Sequence, residues 1–286
     1  MITSFCILAE PEKLMYPYIE SIRSVARFSD RIIVLYAAAD EDQKQYRPFE
    51  KESHDKLHLL KEEIKERCCL NIIPNKTWKL QRNQSYEEIQ KIVQDGLDQT
   101  TDGWFLKFDA DNVFRKNFSS QIRQLFNDET DKIIFRRVNV TNKELVGINT
   151  QSEDIYAINI DSLKRKNITY RIGDISDWCK VVTTGSCITK IIEDINLIPV
   201  NYDATFFTRE RIVGFWRTTE EAYCAANKNR TNKLVHLTDE EVLENYKSYR
   251  RLKLGKLISN NFVHPDDIKD KIENLEKNQW GYNNFS

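Results

Sequence analysis

The chain has 286 residues, 40% of them apolar and 30% charged, a composition that supports a packed core under a well-solvated surface and does not indicate disorder. With 43 Lys and Arg against 44 Asp and Glu, the net charge is −1. That offers no global field for a polyanion and excludes nucleic acid as the expected partner. Only 8 glycines occur, and neither G-x-G-x-x-G nor G-x-x-x-x-G-K-[ST] can be read, which excludes a phosphate cradle built on a glycine-rich loop.

Residues 2–9 form a short, nearly continuous apolar run, the pattern of a strand buried on both faces of a parallel sheet. A helix is predicted over about 14–27, a second buried strand over 32–36, a charged amphipathic helix over 53–67, a strand over 70–73 and a helix over 86–97. Parallel neighbours need a crossover of a dozen or more residues, so this alternation predicts a mostly parallel α/β sheet. The next apolar strand, 103–108, ends in Asp109-Ala110-Asp111. Beyond it the pattern predicts a helix at 117–127, a strand at 132–140, a strand pair within 154–172 separated by 161–167, a strand at 196–201 and a long helix at 208–227. Helices over 238–257 and 266–278 complete the chain. The expected organisation is one catalytic domain over 1–235 with a helical C-terminal extension, 236–286, packed on it.

Six cysteines, at 6, 68, 69, 179, 187 and 224, show neither C-x-x-C spacing nor a compact disulfide framework, and read as reduced core thiols. The first residues lack the basic segment and apolar length of a signal peptide, and no apolar run is long enough to span a bilayer. A cytoplasmic protein is expected. The basic cluster at 249–256 reads as the solvated face and last turn of a helix; docking on an acceptor phosphate or a membrane surface is the alternative.

Two carboxylates at i and i+2 where a strand ends can both turn toward one ion, and such oxygen ligands suit Mg²⁺ or Mn²⁺. In an open α/β sheet, ligands collect outside the carboxyl ends of the strands, which is where Asp109 and Asp111 fall. A calcium loop counted from Asp109 fails, because it would place Val113, Phe114 and Ser120 where an oxygen ligand, glycine and glutamate are required.

The segments Leu14-Met15-Tyr16-Pro17-Tyr18-Ile19-Glu20-Ser21-Ile22-Arg23-Ser24, Ser29-Asp30-Arg31-Ile32-Ile33-Val34, Gln81-Arg82-Asn83 and Gly103-Trp104 through Asp111 resemble, in order and spacing over roughly residues 1–125, the family 2 type of GT-A glycosyltransferases. The resemblance implies a GT-A fold with a Rossmann-like nucleotide-sugar-binding half, a UDP- or GDP-sugar donor, a glycan or glycoconjugate acceptor, and Mn²⁺ or Mg²⁺ on Asp109 and Asp111. By the same resemblance Arg82 and Asn83 line the donor site, and His264 supplies a third metal ligand from a C-terminal loop. Asp203 is placed as the base that takes the acceptor proton in an inverting reaction, ahead of Asp194 and Glu210. After the second strand the chain departs from the family: Tyr36-Ala37-Ala38-Ala39 stands where acidic and glycine residues usually read the nucleoside, so Asp40 is the expected contact to base or ribose. His236 is expected to be packed, and Trp178 is the candidate platform for an acceptor sugar. A nucleotidyltransferase of related architecture and a catalytically inactive carbohydrate-binding module are the competing readings. The segment after the first strand, Ala9-Glu10-Pro11-Glu12-Lys13, lacks the glycine-rich basic signature of the former, and the retained acidic pair argues against the latter.

Overall fold

A computed structural model describes residues 1–9, 15–37, 48–75, 85–140, 146–173, 180–202, 205–226, 231–253, 255–258 and 262–274. The first half runs β1 (Ile2–Ala9), α1 (Tyr18–Val25), β2 (Arg31–Ala37), α2 (Pro48–Ile64), β3 (Cys69–Asn75), α3 (Ser85–Asp98), β4 (Trp104–Lys107), β5 (Asn112–Val113) and α4 (Ser119–Gln124). Then follow β6 (Lys132–Phe135), β7 (Arg137–Val140), β8 (Val146–Asn149), β9 (Ile155–Asn159), α5 (Ile160–Arg165), β10 (Tyr170–Ile172), β11 (Val181–Thr183), β12 (Thr189–Ile192) and β13 (Val200–Asn201). The last elements are α6 (Arg209–Ala226), α7 (Asp239–Lys253), β14 (Lys256–Leu257) and α8 (Asp266–Glu273).

The molecule is a mixed α/β structure whose central seven-stranded sheet has the order β3-β2-β1-β4-β9-β6-β12. Four of its six pairings are parallel, and β9 runs against both β4 and β6. Both faces are covered, which is why its strands read as continuous apolar runs. On one face Cys6, Leu8, Ile32, Val34 and Leu106 pack against Ile22, Val25, Leu57, Leu60 and Ile64 from α1 and α2. On the other, Phe5, Ile33, Leu35 and Phe105 meet Ile92, Val93 and Leu97 of α3 and Leu163 of α5. The period-2 alternation of side chains along each strand divides the apolar residues between these two layers.

A second, five-stranded sheet, β14-β8-β7-β13-β5, lies beyond the carboxyl end of β4. Here the structure corrects several expectations. The run at 132–140 is two strands in two sheets, broken at Arg136, whose guanidinium reaches the Ser152 carbonyl at 2.7 Å and lies 3.9 Å from Glu153 and 3.7 Å from Glu193. A charged head that needs these partners bends the chain out of the pleat. Likewise β9 and β10 are not paired with each other: β9 enters the central sheet, β10 pairs with β11, and between them α5 starts where the Asn159 side chain accepts from the Ser162 N–H at 3.0 Å. That N-cap satisfies one of the orphan donors of the helix start.

The C-terminal region is not purely helical, because Lys256 and Leu257 add an edge strand to β8. Within this region α7 packs on α6 through Ile212, Val213, Trp216, Val242, Leu243 and Tyr246. Farther on, α8 buries Ile268, and Asp267 pairs with Arg27 just beyond α1. The basic cluster is only partly a solvated face: Arg250 is buried and donates to the Val140 carbonyl at 3.2 Å, while Leu252 is 84% exposed. His236, expected to be packed, is exposed in a turn that follows the buried Leu234. Of the described cysteines, Cys6 and Cys68 are buried, Cys69 is exposed, and all five are free thiols. Among the described residues no helix is long and apolar enough to cross a membrane.

Candidate functional site

In the central sheet β1 lies beside β4 with Ile2 opposite Trp104 and Phe5 opposite Lys107. The connections from β1 lead to β2 and β3 on one side, and the chain then returns to β4 on the other. A sheet that reverses its strand order in this way has its crevice outside the carboxyl ends of the two strands at the switch, here β1 and β4. Asp109 and Asp111 stand there, two and four residues past the end of β4.

The turn that carries them is braced from three directions. From α1, the Ser21 hydroxyl donates to the carbonyls of Asp109 (3.0 Å) and Asn112 (2.7 Å), and Ser24 Oγ accepts from the Phe114 N–H at 3.0 Å. From the second sheet, β5 pairs antiparallel with β13, and the Tyr202 N–H donates to the Asp111 carbonyl at 2.9 Å. The carboxylates themselves are held by side chains: Lys107 Nζ meets Asp109 Oδ1 at 2.7 Å, and Asn112 Nδ2 donates to Asp111 Oδ1 at 2.7 Å. Asn112 is fully buried and lies beside Asn201, whose Nδ2 is 3.5 Å from its Oδ1. Sequence reasoning missed these supports. The signal present was two serines, at 21 and 24, on the same buried face of α1 as Tyr18, Ile22 and Val25.

Lys107 offsets part of the negative charge, yet the field of both carboxylates reaches inward. Burial first, and then Asp109 and Asp111, push the Cys6 thiol well above its usual range, with Lys107 opposing. The donor set is oxygen, which suits Mg²⁺ or Mn²⁺; Mg²⁺ in particular is usually bound through one or two carboxylates with substrate phosphates. Among the described residues no group of three His, Cys, Asp or Glu forms a ready ligand cluster.

His264 is tied to the same turn through one intermediary. Its Nδ1 is 2.9 Å from the hydroxyl of buried Tyr202, the residue whose N–H holds Asp111. Arg115, unremarked in the sequence, clamps the loop that carries His264 by donating to the Val263 carbonyl at 3.2 Å and the Ile195 carbonyl at 2.7 Å, with its guanidinium 5.1 Å from the centre of the Phe262 ring. Burial, with the Arg115 charge adding to it, pulls the His264 imidazole down to about 4. It is therefore neutral at pH 7, the form that can act as a ligand.

The other expected site residues fall differently. Asp40, Arg82, Asn83, Asp203 and Trp178 lie outside the described residues. Asp194 is exposed and its Oδ1 accepts from the Asn196 N–H at 2.9 Å, the local hydrogen bond of a turn; Glu210 is exposed in the first turn of α6. A cavity of about 500 Å³ opens on the outer side of α1, lined by Tyr16, Ile19, Glu20, Arg23, Leu60 and Phe206 among others. The helix itself separates it from the acidic turn, since Ser21 faces the turn.

No family model and no curated protein matches the chain. Among solved structures it is similar to the mannosyltransferase PcManGT from Pyrobaculum calidifontis in complex with GDP-Man and Mn²⁺, at 8% identity and a TM-score of 0.41, covering 86% of this chain and 73% of that one. It is also similar to the 4-diphosphocytidyl-2C-methyl-D-erythritol synthase from Anaerococcus prevotii (12% identity, TM-score 0.34, covering 67% and 88%) and to the inositol-1-phosphate CTP transferase from T. maritima (12%, 0.33, covering 70% and 89%). These likenesses include both glycosyl and nucleotidyl transfer and do not choose between them.

Proposed function

We propose that the chain is a metal-dependent, inverting glycosyltransferase of GT-A type that moves a sugar from a UDP- or GDP-sugar to a hydroxyl of a glycan or glycoconjugate. The observation that carries the reading is the position of Asp109 and Asp111, at the carboxyl end of a central strand beside the topological switch, on a turn braced by α1 and β13. Mn²⁺ or Mg²⁺ bound there supplies Lewis-acid neutralisation of the diphosphate leaving group. Asp109 and Asp111 hold the ion. Lys107 and Asn112 fix one oxygen of each carboxylate, so that their orientation is set before ligand arrives. His264, neutral and steadied by Tyr202, is the third ligand or a hydrogen-bond partner of the diphosphate. In this proposal Asp40 reads the nucleoside, Arg82 and Asn83 contact ribose or diphosphate, and Asp203 takes the acceptor proton. Residues 1–235 form the catalytic domain and 236–286 its extension.

A thermal-shift screen of UDP-, GDP-, CMP- and dTDP-sugars with and without Mn²⁺ tests the donor class, because a ligand that binds only the folded state raises stability by RT ln(1 + [L]/Kd). The expected result is a Mn²⁺-dependent shift with one nucleotide class and sugar transfer on turnover. Release of pyrophosphate from a nucleoside triphosphate and a sugar phosphate would establish nucleotidyl transfer instead. With an acceptor in hand, Asp203→Asn is expected to keep donor affinity while turnover falls about 10²- to 10⁴-fold, the loss associated with a positioned proton acceptor. Wild-type turnover in that variant, with collapse in Asp194→Asn or Glu210→Gln, would move the base.

A further inference from the structure

On α2, His54 and His58 stand one helical turn apart on a flank beside the buried positions Ser53 and Leu57. Residues at i and i+4 share a helix face, but here the two rings do more than share it. Their Nε2 atoms are 3.1 Å apart, with ring centroids at 4.3 Å and planes inclined by 52°. Two imidazoles that turn the same nitrogen toward one point are arranged as a chelate.

We infer that His54 and His58 form a surface site for a nitrogen-preferring divalent transition ion of the Zn²⁺ and Ni²⁺ class, separate from the acidic turn. Geometry supports it quantitatively. With metal–nitrogen bonds of about 2.0–2.1 Å, two nitrogens 3.1 Å apart subtend an angle of roughly 95–102° at the ion, between the octahedral and tetrahedral values. The observed separation therefore admits an ion with only small ring movements. Without metal, one Nε2 must carry a proton to bridge to the other. With metal, both Nε2 atoms become ligands and each proton sits on Nδ1. For His54 that nitrogen lies 3.8 Å from the Asp55 carboxylate, near it but beyond a direct hydrogen bond. Water completes the coordination. Imidazole favours Zn²⁺, Ni²⁺ and Cu²⁺ over Mg²⁺ and Mn²⁺, which prefer oxygen, so the histidine pair is not a site for the latter two.

The test is calorimetric titration of the full chain with Ni²⁺ and with Zn²⁺ at pH 7.5 under reducing conditions, beside His54→Gln, His58→Gln, Asp109→Asn and Cys69→Ser, with circular dichroism confirming that each variant is folded. The expected result is a Ni²⁺- and Zn²⁺-binding step in the wild type that is weakened at least 10-fold by either histidine substitution and is retained in Asp109→Asn and Cys69→Ser. Ni²⁺ is also expected to raise the melting temperature of the wild type but of neither histidine variant, since a chelate across one turn binds only the formed helix. Equal affinity in the wild type and both histidine variants would overturn the inference, and loss on Cys69→Ser would assign the ion to the thiol. Because Asp109→Asn is an internal control, failure here is distinguishable from failure of the transferase reading.

Discussion

The two sheets of this molecule are built on different principles. The central one joins β1, β2, β3 and β4 by helices, each strand is apolar through most of its length, and register runs unbroken over seven residue pairs between β1 and β2. The second gathers β5, β7, β8, β13 and β14, none longer than four residues, from positions as far apart as Asn112 and Leu257. A strand buried on two faces carries its own signature, whereas a two-residue strand exists only because a distant partner supplies its hydrogen bonds. The acidic turn lies where the two meet. Its carboxylates are delivered by the first sheet and its backbone is fixed in part by the second.

Two glycines probe that difference most strongly. Gly103 opens β4 with φ +68°, and a Cβ there would collide with the Met1 carbonyl oxygen; Gly255 precedes β14 with φ +69°, and its Cβ would collide with the Ile148 carbonyl. Both need left-handed backbone, so alanine is strained at either. Gly103→Ala is expected to cost about 2–4 kcal/mol, because it disturbs the pairing of β1 with β4, and Gly255→Ala about 1–2 kcal/mol, confined to an edge strand. Urea unfolding measures both. Equal costs would mean that the second sheet is as integral to stability as the first.

A smaller effect is expected at His264. Its folded pKa lies below its unfolded value, so the unfolded chain takes up the proton first, and the folded state loses stability as pH falls from about 6.5 toward about 4. The loss is expected to be on the order of 1–2 kcal/mol, His264→Gln should flatten it, and stability above pH 7 should be unaffected by titration of this group. Melting temperature followed from pH 7.5 to 4 checks the sign. An unchanged acid limb in His264→Gln would show that burial and the Arg115 charge do not hold the imidazole neutral.

Asn112 sharpens the comparison at the smallest scale. Since its amide holds Asp111 Oδ1, Asn112→Ala is expected to weaken Mn²⁺-dependent donor binding roughly 5- to 10-fold, about 1–1.4 kcal/mol, the usual net value of one hydrogen bond after solvent exchange. Asn201→Ala, one strand further from the carboxylate, is expected to do less. Calorimetric titration of both, with folding checked by circular dichroism, orders the two effects.

How much of this was legible follows from the same contrast. The strands and helices up to Lys107 matched the apolar periodicities, because each buries a continuous face, and Asp109-Ala110-Asp111 was visible because it interrupts such a run. The partition of 132–140 at Arg136 was not, since a lone cation in an apolar run gives no local sign of which sheet each half will join. Nor were β5 and β14, at two residues each, long enough to show a period. In the site, Asp109 and Asp111 carry their chemistry in their side chains. Ser21, Asn112, Tyr202 and Arg115 act by where they meet the turn and its neighbouring loop, and that is a matter of tertiary contact.

The central claim is that Asp109 and Asp111 together hold a divalent ion that binds nucleotide sugar. Calorimetric titration of UDP- and GDP-sugars into the wild type, Asp109→Asn and Asp111→Asn, each with Mn²⁺ and with chelator, tests it directly, because the substitutions keep size and remove charge. The account predicts Mn²⁺-dependent donor binding in the wild type, at least 100-fold weaker in both variants, about 2.7 kcal/mol, with circular dichroism unchanged. Equal Mn²⁺-dependent affinity in all three proteins would contradict it.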